Sequence, residues 1–212
     1  MIYHVVNKSI AEFVIFNEPD EFLRMLLAIR YYQTGTQAIS LSQFVRSNKP
    51  EKHLKNIKLP IKSKDCKLIE IIAYCLMPTH LHLMLEELKD NGISKFMNNI
   101  LNSYTHYFNL KHKRKGPLWQ ARSKKVAMET DEQLLYVTSY IHSNPVIANI
   151  ADKPEKWPYS SYKEYLQVVD EAKRICKYSD ILDIDLLPYK KYVEDMIPYQ
   201  KELAKIKKLD LE

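Results

Sequence analysis

Glycine is scarce in this chain of 212 residues, with only three, and cysteine is as rare. Cys66, Cys75 and Cys176 are odd in number, widely spaced and form no Cys-x-x-Cys pair, which argues against a disulfide framework and for a reducing, cytoplasmic setting. Long apolar runs are missing too. Even the most hydrophobic stretch, Leu68 to Met77, contains Glu70, so no window has the length a membrane span needs. The start, MIYHVVNK, lacks the charged opening and apolar core of a secretory signal. Acidic residues are absent from Asn91 to Met128, although that stretch holds Lys95, Lys111, Lys113, Arg114, Lys115, Arg122, Lys124 and Lys125. The net charge of +6 is a weak signal alone, but clustered cations of this kind attract a polyanion such as a phosphate backbone.

What is present organises around Ile69 to Glu86, IEIIAYCLMPTHLHLMLE. Two β-rich runs, Lys67 to Leu76 and His80 to Glu86, flank a short connection at Met77 to Thr79. Side chains alternate along a strand, so His80 and His82 project from one face while Leu81, Leu83 and Leu85 face the other. Two imidazoles side by side can ligate a divalent metal; they can equally be two polar residues on a solvated strand face.

The remaining elements follow in order. Ile2 to Asn7 reads as a first strand. Asn17, ahead of Glu18, Pro19 and Asp20, predicts the N-cap of a helix reaching about Tyr32. Residues 35–65, with many lysines and with Pro50 and Pro60, read as a basic insertion with a short helix at Leu41 to Arg46. Ile93, Phe96, Met97, Ile100, Leu101, Tyr104 and Phe108 mark an amphipathic helix. Gln120 to Met128 predicts a fourth strand. Thr130 to Gln133 resembles a capping box, opening a helix that Pro145 helps to end. The order gives an α+β, ferredoxin-like βαββαβ fold: an antiparallel sheet with helices on one face. Residues 1–150 are assigned to that unit, and 151–212 to an accessory C-terminal helical section.

Tyr136, Tyr140 and Asn144 lie four apart, so one helical face presents all three. Should that face meet the His80/His82 strand, a phenol and an amide oxygen join the histidine pair. Spacing alone leaves either tyrosine as the reactive one, and leaves ordinary half-buried tyrosines as the alternative.

These residues carry a resemblance. His80-Leu81-His82, within MPTHLHLML, resembles the His-hydrophobic-His motif of HUH single-tyrosine transposases, and the chain is most similar to the REP-associated tyrosine transposases. The likeness runs from Tyr3-His4-Val5 through Gly116-Pro117-Leu118-Trp119-Gln120-Ala121-Arg122 and Tyr140-Ile141-His142-Ser143-Asn144-Pro145 to Trp157-Pro158-Tyr159-Ser160-Ser161-Tyr162. It implies a metal-dependent nickase and strand transferase acting on single-stranded, hairpin-containing DNA through a 5′-phosphotyrosine intermediate. In that resemblance Tyr140 is the nucleophile, and His80 and His82 are metal ligands. Asn144 takes the third ligand position, where related insertion-sequence transposases usually carry Gln. The implied ion is Mg²⁺ or Mn²⁺, although two imidazoles also accept Zn²⁺.

The basic stretch predicts the DNA contacts: Lys111, Lys113, Arg114, Lys115, Arg122, Lys124 and Lys125 on phosphates, with Trp119 stacking on bases or sitting in the core. Two other readings stand beside the nickase. One is a catalytically inactive or domesticated nucleic-acid-binding protein of the same fold. The other is a metal-binding ferredoxin-like protein with no nucleic-acid partner. The choice between monomer and homodimer stays open.

Overall fold

The computed structural model describes residues 1–35, 37–47, 66–120, 122–179, 181–182 and 186–209. Residues 48–65, most of the predicted basic insertion, therefore lie outside the described residues. Ahead of them the short helix expected there is found as α2, Leu41–Ser47.

Four strands form the sheet: β1 (Ile2–Lys8), β2 (Ile69–Met77), β3 (His80–Glu87) and β4 (Lys124–Ala127). Their order is β2-β3-β1-β4, and every neighbouring pair is antiparallel. β1 thus separates β3 from β4, and β3 separates β1 from β2. Two interleaved split βαβ units result, the ferredoxin-like arrangement expected from element order.

The crossover helices are α1 (Pro19–Tyr31) and α3 (Gly92–Lys111). They share one face of the sheet, where Phe22, Ile29, Phe96, Ile100 and Tyr104 pack with Val5, Leu81, Leu83 and Leu85. α1 begins one residue later than predicted. Glu18, not Asn17, is its N-cap, because Glu21 reaches back to the backbone N–H of both Asn17 and Glu18.

The other face is covered as well. α4 (Asp131–Ile147), the short α5 (Tyr162–Tyr165) and α6 (Leu186–Leu209) lie there, and Leu134, Ile141, Tyr162, Tyr165, Tyr189 and Val193 pack over Ile72, Ala73, Cys75, Met77 and Met84. Helices on one face therefore describes α1 and α3 only. A β-bulge between Ile71 and Ala73 turns Ile72 into this second core. Residues 159–161 run along the free edge of β2: Leu76 donates to the Tyr159 carbonyl, and Ser161 donates to that of Tyr74. The edge strand is thereby closed by the chain itself.

α4 opens as predicted, Thr130 Oγ1 accepting from the Gln133 backbone N–H at 3.2 Å. It does not end at Pro145 but continues to Ile147. Proline has no N–H to donate to the carbonyl one turn back, yet packing between the sheet and α6 holds the last turn in place. Asn144 consequently sits inside a regular helix rather than at its frayed end.

Candidate active site

β3 delivers His80 and His82 to the face that carries α4, while Leu81, Leu83 and Leu85 are fully buried on the other. At His82 the face is not solvated, for this residue is 5% exposed. α4 lays its Tyr140 and Asn144 on it. The Tyr140 ring stands edge-on to that of His82 at 5.7 Å between centroids, and to that of His4 at 6.5 Å. Asn144 Nδ2 lies 3.2 Å from His82 Nε2. The sequence-predicted tyrosine, asparagine and histidine pair are thus brought together.

Tyr136, the rival by spacing, points elsewhere. Burial raises its pKa, followed by the nearby phenols of Tyr199, Tyr140 and Tyr192, two of which belong to α6. It makes no ring contact with the histidines among the described residues, whereas Tyr140 contacts two of them.

His4, part of the family likeness but given no role by it, also belongs to the site. It sits on β1 opposite Met84, on the histidine face, and its Nε2 is 3.1 Å from His82 Nδ1. One proton lies between these nitrogens. With His82 Nδ1–H donating, His82 keeps a bare Nε2 directed at Asn144, the tautomer a metal requires. His80 bonds through Nδ1 to Thr79 Oγ1 at 3.0 Å, which leaves its Nε2 uncommitted among the described residues.

Charge in the site favours neutral imidazoles. Burial lowers the pKa of His4 to about 4, and burial together with the Lys8 ammonium does the same to His80. Burial, then His80, His4 and Lys8, push His82 well below its ordinary value. All three are lone-pair donors at neutral pH.

Metal fit follows from this donor set. Among the described residues no three of His, Cys, Asp and Glu form a metal cluster, so the donors are two imidazoles and one amide. Ligands about 2.1 Å from one ion and at right angles to each other lie about 3 Å apart. The Asn144–His82 separation has that size, and a half-turn of the amide exchanges its nitrogen for oxygen. His82 and Asn144, with His80 beside them, would hold a divalent ion as neutral donors and would leave its remaining positions to phosphate oxygens and water.

The predicted DNA contacts divide. Lys111 is bound to Glu18 at 2.8 Å and to the fully buried Glu21 at 2.9 Å, fastening α3 to the start of α1. Arg114 donates to Asn109 Oδ1 and the Pro117 carbonyl and lies over the Phe13 ring. Lys125, on the face away from the histidines, pairs with Glu87 and covers the Tyr3 ring. Trp119 is a core residue, packed on Phe16 and Tyr104 rather than presented to bases. Lys113, Lys115, Arg122 and Lys124 are exposed and form no ion pair among the described residues. For Lys111 and Lys125 the competition was invisible in sequence because the carboxylates that take them, Glu18, Glu21 and Glu87, come from far away in the chain.

Among the described residues no helix is long and apolar enough to cross a membrane. A solved structure of a REP-associated tyrosine transposase bound to a REP hairpin is similar in fold, with 17% identity over 87% of this chain and 88% of the other and a TM-score of 0.52. Among curated proteins none matches. The family described as IS200-like transposases matches residues 39–144, half of the chain and the half that holds His80, His82, Tyr140 and Asn144. The chain belongs to the IS200-like transposase family.

Proposed function

We infer that the protein nicks and rejoins single-stranded DNA, with Tyr140 as nucleophile and a divalent ion, Mg²⁺ or Mn²⁺, held by His80, His82 and Asn144. The observation that carries this reading is the Tyr140–Asn144 face of α4 lying on the His80/His82 face of β3. Family membership supports DNA processing of the transposase type. The neighbour's bound hairpin supports hairpin-containing DNA as the partner.

A phenol with a pKa of about 10 is a weak nucleophile at neutral pH, so the site must stabilise charge developing on the phosphate. A bound divalent ion supplies positive charge against the scissile phosphate. Tyr140, half-buried with its hydroxyl unpartnered among the described residues, attacks phosphorus and releases its proton to water. The O–P bond to tyrosine forms, the bond to the 3′ oxygen breaks, and that oxygen takes up a proton. The products are a 5′-phosphotyrosine and a free 3′-hydroxyl, and rejoining reverses the exchange with no nucleotide cofactor. His82 and Asn144 orient each other; His4 holds the His82 ring.

The test uses labelled single-stranded DNA from the flanks of the protein's own gene, with Mg²⁺ or Mn²⁺, and looks for a denaturation-resistant protein–DNA adduct. Wild type and Tyr136→Phe form it; Tyr140→Phe and His82→Ala do not. An adduct that survives in Tyr140→Phe overturns the assignment. Salt-sensitive binding without any adduct points instead to a binding protein of the same fold.

A further inference from the structure

Beyond the histidines the same sheet face carries cations that no part of this mechanism uses. In the β1–β3 register Lys8 is the direct partner of His80, Val6 of His82 and His4 of Met84. Directly opposed residues of an antiparallel pair share a face, so Lys8 stands beside His80 with Cβ atoms about 5 Å apart. In the β1–β4 register Lys124 is the partner of Val6, which places it on that face one strand further out. Lys8 and Lys124 are exposed, and neither forms an ion pair among the described residues. Tyr140 meets His82 and His4, at the other end of this row. Lys8 is two alternate positions beyond His4 along β1, about 13 Å away. The nucleophile and the free ammonium thus lie on opposite sides of the His80/His82 pair.

We propose that Lys8, flanked by Lys124, is a phosphate-binding subsite for the strand that departs with the 3′-hydroxyl. The proposal rests on the nickase reading and adds a direction to it. Displacement at phosphorus is in line, so the leaving oxygen exits on the side away from the attacking phenol. Attack by Tyr140 keeps the downstream strand on its own side and sends the upstream strand towards Lys8. An ammonium there offsets the charge of the nearest upstream phosphodiester and holds the 3′ end in place for rejoining. The chain beyond the site runs the same way: Gln120 donates its N–H to the Lys8 carbonyl, and Asn7 bonds Ser123. Lys8 is thereby tied to the segment that bears Arg122 and Lys124.

The experiment first maps the cleavage position with wild type. It then measures binding of uncleaved oligonucleotides to full-length Tyr140→Phe protein, with and without Lys8→Ala, in the presence of Mg²⁺. The oligonucleotides carry one neutral methylphosphonate, either at the first linkage upstream or at the first linkage downstream of the cleavage position. The upstream methylphosphonate weakens binding roughly five- to tenfold in the Lys8 protein and leaves the Lys8→Ala protein unaffected. The downstream one weakens both equally. Lys8→Ala also makes the log–log salt dependence shallower by about 0.7, one single-strand phosphate contact. Lys8→Arg restores both effects. Equal upstream losses with and without Lys8, in a protein whose wild type cleaves, overturn the subsite and leave the nickase standing. Failure of wild type to cleave overturns both.

Discussion

In the proposed mechanism His4 stands to His82 as outer-shell groups stand to metal ligands generally: with His82 Nδ1–H donating to His4 Nε2, the other His82 nitrogen is the one left for an ion. Its neutral state, enforced by burial, is what lets it accept. Replacing it by phenylalanine keeps the bulk and removes the acceptor, so Mn²⁺ affinity of the DNA-bound Tyr140→Phe protein falls about 10- to 100-fold. Mn²⁺ titration by electron paramagnetic resonance reads this directly, with thermal unfolding as the check that the fold persists; an unchanged affinity removes His4 from the site. Glu21 makes a second residue-level prediction, on stability. Burial pushes its pKa up, but N–H groups of Asn17 and Glu18 and the His112 and Lys111 side chains more than offset this, holding it at about 2 against 4.5 unperturbed. A folded pKa below the unfolded one stabilises fully above the unfolded value. That stability is lost as pH falls from about 4.5 towards 2. With screening by the exposed partners, the contribution is about 1–3 kcal/mol. Glu21→Gln flattens the pH dependence of urea unfolding across that window, and an unaltered slope contradicts the assignment. Of these residues, His80 and His82 were legible because two alternate positions on one strand share a face. The pairing of His4 with His82 was not, since a single histidine carries no period and only strand register reveals its partner. Lys111 and Trp119 looked like DNA contacts for the same reason in reverse: Glu21 and Phe16, which claim them, lie about a hundred residues upstream in the chain.

At the scale of elements, the entry of α3 leaves no room for a side chain at Gly92. A Cβ at Gly92 would stand 2.3 Å from the Leu68 carbonyl oxygen, a backbone atom that cannot move aside without shifting the start of β2. Gly92→Ala therefore costs about 2–4 kcal/mol, a penalty of overpacking rather than of helix propensity, which alone favours alanine. Denaturant unfolding measures it; a neutral or stabilising result shows that the two segments separate readily. α3 itself was readable because its apolar residues recur on one face and the opposite face stays wet. α4 was harder. It lies between the sheet and α6, and buried residues such as Leu134, Thr138, Ser139, Ile141 and Ser143 surround it without one dominant apolar stripe. Its start was still marked by Thr130, whereas its end was misplaced at Pro145, where tertiary packing outweighs one lost hydrogen bond.

For the whole molecule, the consequence of a sheet covered on both faces is that the C-terminal section is structural to the site. The ferredoxin-like order was legible up to about residue 150, because strands and helices there alternate with clear periods. The second layer was not, since Tyr162, Tyr165, Tyr178 and Tyr189 follow no single period and their partners, Ile72, Cys75 and Met84, read as one buried run in β2 and β3. These residues cover the α4 side of the sheet. His142, on the same helix as Tyr140, is fully buried and bonds Tyr189 and Ser161, both from beyond residue 150. Ser143 similarly meets Gln200 of α6. A chain cut after residue 150 exposes Ile72, Ala73, Cys75 and Met77, reopens the β2 edge at Tyr74 and Leu76, and leaves His142 with neither partner. Each lost apolar side chain alone costs about 2–5 kcal/mol, and whole-domain stability is about 5–15 kcal/mol, so removing several together exceeds what the remainder holds. The expected outcome is a 1–150 fragment that aggregates or unfolds without a cooperative transition. A full-length chain with Tyr189→Phe, which keeps the ring and removes one hydroxyl, stays folded. Size-exclusion chromatography and thermal unfolding of the two proteins decide the matter. A monodisperse, cooperatively unfolding 1–150 fragment makes residues 151–212 an accessory, whereas its collapse makes them the back wall against which α4 holds Tyr140 over the histidines.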